Sequence, residues 1–151
     1  MHSLGLTRKN FAPAALFVLL TAADRATKLW ALSSLEEASG GSGKLFSLGL
    51  YFNRGISFSL LDDYAPAGLA LALTGAFILL AACISSRRFR RMPGLVFLCA
   101  GAAGNLTDRL LYGYVVDWVR IAGYVNAADI WLAVGCLLFL VHCAGESARG
   151  S

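Results

Sequence analysis

Four aspartates carry the chemistry open to this chain: Asp24, Asp108, Asp117 and Asp129. The last three fall in Gly101–Asp129, GAAGNLTDRLLYGYVVDWVRIAGYVNAAD, which holds three of the nine acidic residues. Two carboxylates held close together cannot both ionise, so one keeps a proton and the other does not. The ionised one can take a proton from water as that water attacks an amide. The protonated one can polarise the carbonyl and help the amine leave. Such a pair titrates as a unit. The competing role is ion pairing that joins helices. Asp108 precedes Arg109, and Asp24 has Lys28 four residues on, acid first, the favourable order on one helix face. Arg25 is a further possible partner. Asp24 and Asp108 therefore read as scaffold acids. Asp117 and Asp129 have no basic neighbour within two residues, although Arg120 lies three from Asp117, and are the better catalytic candidates.

Other chemistries find fewer residues. The only histidines are His2 and His142, and His142 lies about 20 Å along a helix from Asp129, so a Ser/His/Asp triad is not expected. No HExxH or comparable ligand set is present, and neither a metal nor a cofactor is expected. Lys28 with Ser57 or Ser59 leaves a Ser–Lys dyad open, on the weak ground of loop serines. Cys83, Cys99, Cys136 and Cys143 lie in apolar segments without redox or ligand spacing and read as small apolar fillers.

The elements that must position the aspartates are membrane spans. Of 151 residues, 58% are hydrophobic and 15% charged, against about 25% charged in an average soluble domain. Mean hydropathy is +0.65. The length suits one domain, 1–151, with four spans. Arg8 and Lys9 precede an uncharged run, Phe11–Ala23, that a cleaved signal peptide would also show. The apolar pattern continues through Leu32, which favours a span over 11–32. Residues 67–84 are uncharged, the clearest transmembrane signal. Pro93 suits the start of a third span over 94–111, and a fourth runs 125–144. Between them, 33–66 and 112–124 are outer loops. Ser34–Glu37 predicts a short helix, Lys44–Leu61 one or two strands around Asn53-Arg54-Gly55, and Tyr112–Tyr124 an extended or hairpin segment.

The net charge of +4 and pI near 9.1 come largely from basic flanks. Four arginines in Arg87–Arg91 read as a cytoplasmic loop rather than a nucleic-acid patch, and no nucleic-acid partner is expected. Both termini then lie in the cytoplasm. Asp24 is thirteen residues past Phe11, Asp108 fourteen past Gly94 and Asp129 fifteen before Ala144. Each sits roughly 20 Å from the inner boundary of a hydrocarbon layer about 30 Å thick. Three helices thus place a carboxylate at one depth in the outer leaflet, where ionisable groups mark function. A proton carrier or lipoprotein-binding scaffold could use the same acids, but a relay needs acids spaced in depth.

Five separated motifs, in order, resemble the lipoprotein signal peptidases (signal peptidase II), bacterial inner-membrane aspartyl proteases. Asp24 and Lys28 match D-x-x-x-K. Asn53, Gly55 and Phe58 match N-x-G-x-x-F. Gly101, Ala102, Gly104, Asn105, Asp108 and Arg109 match G-G-A-x-G-N-x-x-D-R. Val116 and Asp117 match V-V-D-F, and Asn126, Ala128 and Asp129 match F-N-x-A-D. The resemblance covers nearly the whole chain. It implies an all-α membrane protein of four transmembrane helices with a small periplasmic β-containing platform, in the bacterial inner membrane, with its site near the periplasmic face. It implies Asp117 and Asp129 as catalytic dyad, with Asn53, Asn105, Asp108, Arg109 and Asn126 shaping the site. The implied partners are membrane lipids and diacylglyceryl-modified prolipoproteins, cut before the lipidated cysteine by a monomer. Ala100 replaces a glycine of the pattern, Trp118 a phenylalanine and Val125 another phenylalanine, and the stretch from Asp117 to Asp129 is shorter than the pattern leads one to expect.

Overall fold

The computed structural model describes residues 11–37, 46–54, 75, 92, 94–121 and 123–150. The element order is α1 (Phe11–Ser34), β1 (Phe46–Asn53), α2 (Leu95–Tyr112), β2 (Val115–Ile121), β3 (Gly123–Val125) and α3 (Ala127–Gly150). The span expected over 67–84, the basic loop, Gly55, Phe58, Ser57 and Ser59 lie outside the described residues.

Three of the expected spans are helices with nearly the expected bounds. Apolar side chains stay exposed along them, Val18, Leu19, Leu137, Leu140 and Val141 among them. That is the reverse of a soluble helix, whose exposed face is polar. Among the described residues one helix, Ala127–Ser147, is long and apolar enough to cross a membrane by itself, with a mean hydropathy of 2.0. The fourth span was expected from Val125, but the helix begins at Ala127 and Val125 belongs to β3.

α2 and α3 pack through glycines. A Cβ on Gly101 would lie 2.5 Å from the carbonyl oxygen of Ala128 and 2.8 Å from Leu132 Cγ, so only a hydrogen fits. Gly94 and Gly135 make the equivalent close approach toward the other end of the helix pair. Small residues at such crossings bring backbones together where lipid supplies no hydrophobic drive between helices.

α2 ends at Gly113, whose φ of 77° is left-handed and whose N–H reaches the Arg109 carbonyl at 3.0 Å. Glycine takes that conformation without the Cβ clash. The chain therefore enters β2 two residues after the helix. β2 returns at once as β3, with Ile121 opposite Gly123 and Val119 opposite Val125. The short stretch after Asp117 is thus a tight hairpin, as its alternation suggested. The sheet order is β1-β2-β3, antiparallel throughout.

The short helix expected at Ser34–Glu37 does not form beyond Ser34. Leu50 N–H donates to the Glu36 carbonyl at 3.0 Å, and Glu37 bridges Leu50 in parallel. The outer edge of β1 offers unpaired backbone groups, and pairing with them satisfies this segment better than one more turn would.

Between Leu48 and Tyr51 the β1 register shifts: Leu48 faces Val119, but Tyr51 faces Asp117. One extra residue on β1 reverses which face its later side chains take. One face of the sheet carries Leu50, Phe52, Tyr114, Val116 and Trp118 against Ala31, Leu32 and Leu35 at the end of α1. Trp118, the tryptophan at a phenylalanine position, meets Trp30 edge-on at 5.6 Å between centroids. The other face carries Asn53, Val115 and Asp117 toward α2 and α3.

Candidate active site

Asp117 is buried at 1% exposure in the middle of β2. Asn53 pairs with Val115, two residues before Asp117, which makes it the diagonal neighbour on the same face. Its Nδ2 donates to Asp117 Oδ2 at 3.0 Å. Asn126 Nδ2 donates to Asp117 Oδ1. Burial, and next the charge of Asp129, push the Asp117 carboxyl up from its ordinary 3.8 to about 7. The two asparagine hydrogen bonds and the charge of Lys28 pull the other way and are outweighed.

Asp129 sits in the first turn of α3, where the helix N-terminus favours negative charge. Asn126 caps that helix. Its Oδ1 accepts from Asp129 N–H at 3.2 Å, while Asp129 Oδ2 accepts from Asn126 N–H at 3.1 Å. This reciprocal capping box fixes the Asn126 amide with its oxygen toward α3 and its nitrogen toward Asp117. One asparagine side chain therefore bonds to both aspartate residues. Asn105 Nδ2 donates to the remaining Asp129 oxygen, Oδ1, at 2.8 Å.

Asp117 and Asp129 line one cavity of about 410 Å³ with Asn53, Asn105 and Arg109. Its apolar wall is Val115, Ile121, Tyr124, Val125, Ile130, Leu132 and Ala133. Apart from Val125, these wall residues were not singled out from the sequence, although alternation along β2 puts Val115 and Ile121 on the face of Asp117. Val125, at the position where the motif has phenylalanine, does stand in the wall.

A buried ionic cluster joins α1 to α2. Lys28 Nζ is 3.0 Å from Asp24 Oδ2 and 2.9 Å from Asp108 Oδ2. Arg25 Nη1 holds Asp108 Oδ1 at 2.8 Å. The i,i+4 pair Asp24–Lys28 stands as expected, and Lys28 joins Asp24, Asp108 and Asn105 in one network. Arg109 corrects an expectation. Among the described residues no direct ion pair joins it to Asp108; its Nη1 donates to the Asn105 carbonyl at 3.3 Å, and its side chain faces the cavity. Adjacent helix residues point about 100° apart and cannot share a face. Arg120, three residues from Asp117, is on the opposite face of β2, with its guanidinium 6.0 Å from the Tyr124 ring centroid.

Gly104 makes room for this cluster, since a Cβ there would lie 2.5 Å from Asp24 Oδ2. Gly101 and Ala128 meet at the α2–α3 contact, and Ala100 is fully buried. Thus of the expected site residues, Asp24, Lys28, Asn53, Asn105, Asp108, Arg109, Asp117, Asn126 and Asp129 are brought into one region.

The family model for signal peptidase (SPase) II matches residues 16–144. A lipoprotein signal peptidase of Rhodopseudomonas palustris (strain TIE-1) is 38% identical over 140 residues, covering 82% of this chain and 85% of that protein. One from Caulobacter vibrioides is 30% identical over 153 residues, covering 93% and 91%. A bacterial membrane enzyme solved by the in meso method at 2.3 Å superposes with a TM-score of 0.77 at 20% identity, over 94% of this chain and 93% of that one. A second, at 1.9 Å, gives 0.73 at 21% identity, over 89% and 93%. At those identities the solved structures speak for the fold, and the sequence matches carry the assignment: this chain belongs to the signal peptidase II family of bacterial membrane peptidases.

Proposed function

We propose that the chain is an aspartyl endopeptidase that removes signal peptides from prolipoproteins, cutting before a diacylglyceryl-modified cysteine, with Asp117 and Asp129 as the catalytic pair. The observation that carries this reading is the Asn126 bridge: two carboxylates from separate elements line one cavity, and one side chain ties the Asp117 carboxylate to the Asp129 main chain. Asp117 keeps its proton to about pH 7, as a general acid must. Asp129 is the base in this reading, in the first turn of α3 where the helix N-terminus favours negative charge.

Water held between the two attacks the scissile carbonyl carbon and gives a proton to Asp129. Asp117 donates its proton to the carbonyl oxygen, forming a neutral tetrahedral intermediate. Collapse breaks the C–N bond, a proton passes from Asp129 to the leaving nitrogen, and the hydroxyl proton returns to Asp117. The apolar wall opposite the polar floor suits a chain segment with apolar side chains. A substrate anchored by lipid stays in the membrane, so a site at the outer end of the helices meets it there. In this reading the whole chain is one monomeric unit of four spans, with both termini cytoplasmic and the site near the periplasmic face.

The test is cleavage of lipidated prolipoprotein by purified wild type, Asp117→Asn and Asp129→Asn. Both variants should fold and lose at least about 10³-fold in rate, since neither half of the pair works alone. Near wild-type cleavage by either variant refutes the dyad. No turnover by wild-type protein would favour a carrier or scaffold. Cleavage of the unlipidated form refutes the lipid requirement.

A further inference from the structure

We propose that Lys28 is a positioning residue for peptide cleavage, a buried ammonium that sets both aspartates in register from α1. The proposal rests on the dyad reading above. Lys28 is fully buried. A lysine ammonium has three N–H donors and no acceptor. All three have partners: Asp24 Oδ2 at 3.0 Å, Asp108 Oδ2 at 2.9 Å and Asn105 Oδ1 at 3.0 Å.

Each partner leads to the site. Asp24 Oδ1 accepts from Ala128 N–H at 2.9 Å, the residue before Asp129. Asp108 Oδ2 also accepts from Val116 N–H at 3.1 Å, the residue before Asp117. The two counter-ions of Lys28 thus each grip the backbone one residue ahead of a catalytic aspartate, one on α3 and one on β2. The third partner works through orientation. Because the ammonium can only donate, Asn105 must present its oxygen to Lys28, which leaves its Nδ2 for Asp129 Oδ1 at 2.8 Å. Without the lysine, that amide can turn its oxygen on the carboxylate, and acceptor would face acceptor. Three links from one nitrogen thereby hold two main-chain positions and one carboxylate oxygen.

Lys28→Met keeps the length and apolar stem but leaves Asp108 with Arg25 alone and takes from buried Asp24 its Lys28 counter-ion, which threatens folding. The charge-balanced variant Asp24→Asn/Lys28→Met keeps an oxygen for Ala128 N–H and removes only the ammonium and its counter-charge. Both are assayed on lipidated prolipoprotein beside Asp129→Asn. In folded protein, kcat should fall roughly 10²-fold, as expected for an ångström-scale misplacement, with KM within about threefold of wild type. Adding Asn105→Ala should then cost less than about threefold more, since the lysine acts partly through that side chain. A wild-type kcat, a loss confined to KM, or losses that multiply with Asn105→Ala would each overturn the proposal. Failure of both variants to fold would assign Lys28 to helix assembly and also overturn it. Activity in Asp129→Asn would instead sink the dyad reading, so the two failures are distinguishable.

Discussion

Replacing Asp129 with asparagine should lower the pH at which Asp117 releases its proton. Two causes raise that carboxyl to about 7, burial first and the Asp129 charge second. The variant removes only the second. A unit charge about 6 to 12 Å away, at an effective dielectric near 20, is worth about one to two pKa units. The Asp117 midpoint should therefore fall to about 5 to 6 but stay above the ordinary value, because burial remains. Asn53→Ala is the control of opposite sign. It removes a hydrogen bond that favours the ionised form, so the midpoint should rise above 7. Carboxyl ¹³C shifts, or the C=O stretch of the protonated acid, followed in micelles from pH 3 to pH 9, read both changes. An unchanged or higher midpoint in Asp129→Asn would refute the coupling and with it the pair. The same proton should set the alkaline limit of catalysis, with kcat/KM of the wild type falling above about pH 7. It should also tilt stability. The folded state holds this proton more tightly than the unfolded chain, so the contribution is full below about pH 4 and is lost as pH rises to about 7. The loss is at most about 4 kcal/mol.

Two further perturbations follow from backbone geometry. Gly101→Ala puts a methyl 2.5 Å from the Ala128 carbonyl, so α2 and α3 must separate by about half an ångström or more, beside Asp129. Overpacking of this kind costs about 1–3 kcal/mol, and thermal unfolding in micelles should show it together with a kcat loss larger than any change in KM. Gly113→Ala meets open space but a φ of 77°, so it should cost about 1 kcal/mol in unfolding with little effect on rate.

The four aspartates, the i,i+4 Asp24–Lys28 pair and the extended or hairpin character of the stretch around Asp117 were legible in the sequence. Charges are conspicuous in an apolar chain, helix spacing decides which neighbours share a face, and strand alternation shows locally. Depth counting led to the expectation that three acids share one level, because rise per residue is a constant of the helix. Arg25 and Lys28 could be named as candidate partners of the aspartates, but which of the candidates takes which acid was not legible. Arg109 lines the cavity, while its chain neighbour Asp108 is held by Arg25 and Lys28 of α1, because adjacent helix residues point about 100° apart and the packing of α1 decides which of them meets it. Asn53 reaches Asp117 only because one extra residue in β1 reverses the face its later side chains take. The amide orientations of Asn105 and Asn126 depend on what each finds on both sides, a lysine and a helix N-terminus respectively. Local periodicity thus determined which residues could act. Long-range packing decided which of them meet, since only a closed network of donors and acceptors can hold carboxylates away from water.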